Sequence, residues 1–341
     1  MWIKVKVLLL IIIILSIQNT FGAFKEANTL WYARAAGMGG SFISIADDAA
    51  APISNPAGLA LVKDFQVLLN YSKPYLGLDA YIGGEKFGWN YSYLSVAIPN
   101  ENIGTFGFGW KDFRITGVYE EYSILFSYGI SLERIFTRKE REIYIGINLK
   151  YLCNNFSLDK RASIDPVFRK GKSKSNIGFD IGLLTTRLIP KLPNLFVGFI
   201  AKNINEPDMG LSREDPAYRE FGIGISYLII KYTGMEESIP DVITPNSFLK
   251  NKEYRIVTEI RPTVDITYRN KEFNLAGGIE CCFFDRLLKI RVGGNFNEAS
   301  VGLGTELFLK FATGIIDYSF CFPFRIKSNY GSHKISLRVK L

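Results

Sequence analysis

An alternation of apolar and polar residues, held over spans of about ten residues and repeated along almost the whole chain beyond residue 64, constrains this sequence more than any other feature. Ile335, Leu337, Val339 and Leu341 share one face of the final span, while Lys334, Ser336, Arg338 and Lys340 share the other. A period of two marks a strand with one face in an apolar medium and one in a polar medium. A single such span fits the edge strand of a soluble sheet equally well, so their number decides. Candidate strands fall at 64–73, 87–98, 103–112, 119–131, 142–156, 175–187, 194–203, 218–230, 254–268, 272–282, 287–297, 299–310, 312–322 and 332–341, fourteen in all. An even count lets an antiparallel sheet close with both ends on the same side, and an open sheet edge has no hydrogen-bond partners in lipid. The expected fold is all-β, a transmembrane antiparallel β-barrel of about 14 strands. A large soluble β-sandwich is the alternative.

Parity within the spans sorts the ionisable groups onto one face. In 142–156, Ile145, Ile147, Leu149 and Tyr151 oppose Asn148 and Lys150; in 254–268, Ile256, Ile260, Val264 and Ile266 oppose Glu259, Arg261 and Asp265. In 287–297, Leu288, Ile290, Val292 and Phe296 oppose Lys289, Arg291 and Asn295. An Arg or Lys on the lipid face at midplane costs about 2–4 kcal/mol, so a bilayer enforces such sorting. The expected lumen-facing charges are Lys150, Asp180, Glu259, Arg261, Asp265, Glu280, Lys289, Arg291, Glu306, Asp317 and Arg338, with Glu280 or Glu306 beside Arg291. Aromatic residues near strand ends (Tyr91, Tyr93, Trp110, Tyr122, Tyr128, Tyr144, Tyr227, Tyr268, Tyr318) suit interfacial girdles.

The start of the chain reads differently. Lys4 and Lys6 precede an apolar run from Val7 to Ile17, followed by Thr20, Phe21, Gly22 and Ala23. That is the pattern of an export signal over residues 1–22, and the run is too short to span a bilayer. Its removal would take the net charge from +8 to +6, since Lys4 and Lys6 leave with it. Residues 23–63 then precede the first alternating span, leaving 64–341 for the barrel. Within them lie Gly37, Met38, Gly39 and Gly40, then Ala46, Asp47, Asp48 and Ala49, then Asn55, Pro56, Ala57 and Gly58. Glycines permit positive φ and close backbone approach, Asx side chains cap turns, and Pro56 ends any pairing, so this stretch is compact and irregular rather than a strand. Its length suits an N-terminal lumenal plug.

The arrangement from Arg34 through Gly37-Met38-Gly39-Gly40, Ala46-Asp47-Asp48-Ala49 and Asn55-Pro56-Ala57-Gly58-Leu59-Ala60 resembles the N-terminal signature of the PorV/PorQ family, relatives of FadL-type outer-membrane transporters. Later blocks resemble that family's closing strands in order: Gly277-Gly278-Ile279-Glu280, Lys289 to Gly294, Gly302-Leu303-Gly304, Asp317 to Phe320 and Ser332 to Leu337. Lys202 to Asp208 is similar as well. The resemblance implies a bacterial outer-membrane barrel whose N-terminal segment folds into the lumen. It also implies either a passive conduit for a small hydrophobic solute or, as in PorV, a type IX secretion component that binds the C-terminal signals of cargo. A purely structural barrel is the third reading. The charged lumen fits a wholly apolar tunnel badly, so transport requires a greasy pocket near the rim or behind the plug.

Enzymatic readings are weaker. Adjacent Asp47 and Asp48 point apart in regular structure and read as a turn or cap pair, while the single histidine, His333, opens a strand at the rim. Cys153, Cys281, Cys282 and Cys321 fall inside strands without metal-ligand spacing, and Cys153 and Cys321 lie eight strands apart, too far for a disulfide. No cofactor or metal is expected. Lys160, Arg161, Arg169, Lys170, Lys172 and Lys174 make one loop basic; with the first strand rising from the periplasm it faces outside, where anionic headgroups or polysaccharide could meet it. The expected partners are outer-membrane lipid, the outer-membrane assembly machinery, and hydrophobic small molecules or secreted cargo proteins, with no nucleic acid. The same orientation makes 231–253 an unusually long periplasmic connection, improbable as further strands because of Pro240 and Pro245. The terminal Leu341 stands where such barrels commonly carry an aromatic residue.

Overall fold

A computed structural model describes residues 24, 28–78, 80–82, 85–134, 142–158, 164–189, 191–234, 255–326 and 329–341. The expected export signal, Lys160 and Arg161 of the basic loop, and 235–253 of the long connection lie outside the described residues. The first strands are β1 (Gln66–Lys73), the short pair β2 (Ala80–Ile82) and β3 (Glu85–Phe87), β4 (Trp89–Asn100), β5 (Gly104–Ile115), β6 (Tyr119–Ser131), β7 (Glu142–Phe156) and β8 (Ser173–Thr186). There follow β9 (Leu195–Lys202), β10 (Glu220–Tyr227), β11 (Ile229–Gly234), β12 (Arg255–Arg269), β13 (Glu272–Phe283), β14 (Leu288–Asn295), β15 (Glu298–Phe308), β16 (Thr313–Pro323) and β17 (Ser332–Lys340).

All but β2 and β3 form one antiparallel sheet that closes where β1 pairs with β17, from Gln66 opposite Lys340 to Lys73 opposite His333. β10 and β11 are one wall strand. Their register against β12 runs on unbroken from Ser226 opposite Thr263 to Ile229 opposite Ile260. Pro262 falls opposite the gap and has no N–H to donate, which accounts for the interruption. The wall therefore has fourteen strands, each matching one alternating span of the sequence. The β2–β3 hairpin between the first two wall strands carries no such alternation. The tight connection after β12 is a two-residue turn with Asn270 and Lys271 both at positive φ (45° and 66°), the conformation that matches the twist of a hairpin.

Side chains alternate across this wall as the period of two requires. On β7, Ile147 is 52% exposed and Leu149 and Tyr151 lie beside it on the outer face, whereas Asn148 and Lys150 point inward and are buried. Tyr91, Tyr93 and Tyr144 depart from the expected girdle. All three face inward, Tyr144 on the side of Asn148 and Lys150, and Tyr93 is 1% exposed and belongs to the interior core. The rim carrying Gln66 and Lys340 is called the near rim below, and the opposite end the far rim.

The core of the molecule lies inside the barrel, between the wall and the N-terminal segment. That segment holds helices α1 (Asn28–Trp31), α2 (Ala33–Gly37) and α3 (Ala51–Ser54) and a 3-10 turn, Pro56–Leu61. Trp31, Tyr32, Met38, Phe42, Ile45, Ile53 and Leu59 pack with inward residues Leu68, Tyr93, Ala97 and Leu125 of the wall. Backbone runs against backbone where the wall lacks side chains: a methyl group at Gly146 of β7 would lie 2.1 Å from the Pro56 carbonyl carbon.

Candidate functional site

The polar inner face of the wall binds the N-terminal segment from every side. Asn70 of β1 accepts the Ala33 N–H, Ser95 of β4 donates to the Ala49 carbonyl, and Asn148 of β7 donates to the Pro52 carbonyl. Lys202 of β9 donates to the Ile53 carbonyl, and Asp265 of β12 accepts the N–H groups of Phe42 and Ile43 at 2.6 and 2.8 Å. Ser300 of β15 accepts the N–H of Gly39, a residue at φ 68° that only glycine adopts readily. Gly37, Gly40 and Gly58 lie in the same tightly packed stretch. Parity sets Asn148 on the inner face with Lys150, whereas Asn70, Ser95, Ser300 and the charged Lys202 are not among the expected lumen-facing residues.

Asn55, Pro56 and Ala57 form a built turn. The Asn55 carboxamide donates to the carbonyls of Ile43 and Leu183 and accepts the N–H of Ala57, so one side chain joins two parts of the segment to β8. Pro56 begins the 3-10 turn with its φ already set. Nearby, Lys150 and Asp180 pair at 2.7 Å, and Asn203 bridges them by accepting from Lys150 and donating its N–H to Asp180.

Charged groups gather toward the near rim. Arg34 on α2 donates to Asp47 (2.6 Å), Asp48 (2.8 Å) and, through two nitrogens, Glu280. Arg261 also meets Asp47, and Arg338 also meets Asp48 at 2.6 Å. Arg291 reaches Glu280 (2.7 Å) and Asp317 (2.9 Å). Glu306 takes Lys289 and Lys340 instead of Arg291, and Glu259 takes Arg286 from the turn after β13. Asp48 does cap a turn, accepting the Ala50 N–H, yet both adjacent carboxylates are ion-paired as well, which their expected role as a turn pair did not include. Burial alone would raise the Asp47 carboxyl, but Arg34 and Arg261 beside it outweigh that and hold it well below the usual carboxylate range. Burial drives the Tyr32 phenol well above its ordinary value, so its hydroxyl stays protonated and donates to Asp48 at 2.8 Å. A cavity of about 360 Å³ opens among these groups, lined by Arg34, Asp47, Arg261, Glu280, Arg338 and Lys340 with others.

The far-rim half has a different chemistry along β4 to β7. Inward-facing aromatic rings form a continuous series: Trp31 to Tyr91 at 4.8 Å between centroids, Tyr91 to Phe113 at 4.5 Å, Phe113 to Tyr119 at 6.3 Å, Tyr119 to Phe156 at 4.6 Å, and Phe156 to Phe168 at 5.5 Å. The last three residues, with Val167, Met209 and Leu211, line a pocket of about 210 Å³. Phe24 packs behind Met209 with Leu152 and Ala217. Among the described residues, no group of three or more His, Cys, Asp or Glu is placed to hold a metal ion.

A closed fourteen-stranded antiparallel wall, apolar outside and ion-paired within, defines a β-barrel of the bacterial outer membrane. Solved structures share this fold. The CymD monoaromatic hydrocarbon channel superposes with TM-score 0.51 at 11% identity, over 90% of this chain and 96% of that one. The toluene transporter TbuX from Ralstonia pickettii gives 0.51 at 10% identity, over 92% and 98%. A Pseudomonas aeruginosa FadL homologue gives 0.47 at 12%, over 94% and 99%. At these identities the likeness is one of fold. No known family description matches the sequence, and no curated protein sequence does either.

Proposed function

We propose that this barrel is a passive, non-enzymatic conduit for small hydrophobic solutes, with its near rim in the periplasm, residues 1–22 as a removed export signal and residues 23–63 as a lumenal plug. The observation that carries the reading is the aromatic series from Phe168 at the far-rim pocket to Trp31 on α1. Stacked and edge-on rings offer a solute a run of apolar contacts, each of about 0.5–1.5 kcal/mol, beside the charged Arg213, Glu214 and Asp215 of the far-rim pocket and Lys111 over the Trp31 ring. The rings supply the apolar surface that the ion-paired near-rim half lacks. The series ends at Trp31, behind which the interior core is closed, so α1 is the part of the plug that has to move for a solute to pass. Two barrels with this fold are named as a monoaromatic hydrocarbon channel and a toluene transporter, which makes toluene the natural probe.

The test is uptake of labelled toluene by cells or proteoliposomes. Tyr91→Ala and Phe156→Ala should each slow uptake severalfold, with the heat-modifiable electrophoretic shift of the folded barrel retained. Uptake by the unaltered protein no faster than by vesicles without it would refute the conduit. Retention of proteins bearing a secretion signal on the barrel would point instead to the cargo-binding role.

A further inference from the structure

Among the described residues, the ion pairs at the near rim surround an open space. They join seven cations (the four lysine and arginine side chains of β12, β14 and β17 that line the cavity, with Arg34, Arg286 and Arg291) to six carboxylates. At the mouth Lys63 and Asp64 cancel. The carboxylates that line the space are already engaged: Asp47 by Arg34 and Arg261, Glu280 by Arg34 and Arg291, Glu259 by Arg286. Three of the cations are less fully engaged. Arg261, Arg338 and Lys340 converge from β12 and β17, and each meets one carboxylate although a guanidinium carries five N–H donors and an ammonium three. A cavity of about 360 Å³ has the size of a small-molecule site rather than of a packing fault.

We propose that this cavity binds a small oxyanion, a carboxylate or phosphate group, between Arg261, Arg338 and Lys340. The bound group accepts charge-assisted hydrogen bonds from donors that the protein's own carboxylates leave free. Nothing in this depends on the aromatic series, and the conduit reading neither requires nor supplies the site.

The purified full-length barrel is titrated in detergent with sodium phosphate and, separately, with sodium acetate. Chloride keeps the ionic strength constant, and thermal unfolding is the readout. A saturable rise in unfolding temperature with at least one of the two salts is expected; the salt that acts identifies the source of the group. Lys340→Gln removes one of the three cations and should weaken binding roughly tenfold, the worth of one charged hydrogen bond. Leu61→Glu sets a carboxylate on the half-buried cavity wall. It should raise the unfolding temperature without added salt and abolish the response, which loss of packing alone would not do. No saturable response to either salt, or unchanged binding in both folded variants, overturns the proposal. Solute uptake is not measured, so this outcome and that of the conduit test are independent.

Discussion

Arg34 shows how one side chain can organise the interior. Its planar guanidinium satisfies three carboxylates at once, two on the same segment and one on the wall, a task that a point-like ammonium cannot reproduce. Arg34→Gln leaves Asp47, Asp48 and Glu280 with one cation each, from Arg261, Arg338 and Arg291. Breaking a buried pair costs about 3–5 kcal/mol, and the surviving partners put this variant at the lower end. Thermal or denaturant unfolding in detergent should show that loss, and Arg34→Lys should recover part of it. The pH dependence follows from Asp47. Its carboxyl is held below the ordinary aspartate value of about 4, so its contribution is full above that value. It declines as pH falls further and vanishes once pH passes below the folded value. The part of the segment's protection from protease that Asp47 supplies, read as the difference between the unaltered chain and Asp47→Asn, should accordingly be constant from neutral pH to about pH 5 and decline only in stronger acid. A decline of that difference near pH 6 to 7 would contradict the assignment. Sequence placed Asp47 and Asp48 in a turn but gave them no partners: Arg34 lies on the same segment, whereas Arg261 and Arg338 come from β12 and β17, more than two hundred residues away.

At the scale of elements, the N-terminal segment was legible as irregular from its Gly, Asx and Pro content, while what it rests on was not. Glycines at 146, 182 and 198 break the strand pattern, and each marks a place where the segment's backbone or Asn55 comes within contact of the wall. That signal was present in the sequence and has a known physical meaning, but nothing local said which piece of chain would fill the space. Tyr91 and Tyr93 failed for a related reason: an aromatic ring near a strand end suits a membrane interface and a lumenal core equally, and parity alone separates them. Asn55 offers the sharpest test at this scale. Asn55→Ala removes two donated bonds and one accepted bond and strands the Ile43 carbonyl. A loss of about 2–3 kcal/mol is expected, from buried groups left unsatisfied. Hydrogen exchange should locate it in residues 43–57 and not in the wall strands, whereas loss of protection spread evenly around the barrel would show that segment and wall fold as one unit.

On the scale of the whole molecule, the barrel was readable because closure and lipid impose one rule on every strand, and fourteen repetitions of a weak pattern outweigh the ambiguity of each. The division of the lumen was less legible. Charges gather toward the near rim along β12 to β17 and aromatics toward the far rim along β4 to β7, a grouping that depends on pairing register and strand direction rather than on parity. It predicts how the molecule conducts. Deleting residues 24–62 removes Arg34, Asp47 and Asp48 from the near-rim network, one cation and two carboxylates, and leaves six cations against four carboxylates in it among the described residues. In planar bilayers the full chain should pass little current, its lumen being filled by the segment. The deleted form, once its heat-modifiable shift confirms a folded barrel, should open a steady pore. The reversal potential across a potassium chloride gradient should then show preference for chloride, because the wall's uncompensated cations raise the local anion concentration. A deleted barrel that prefers potassium, or a full chain that conducts as well as the deleted one, would mean that the segment and its ion pairs do not control passage through the lumen.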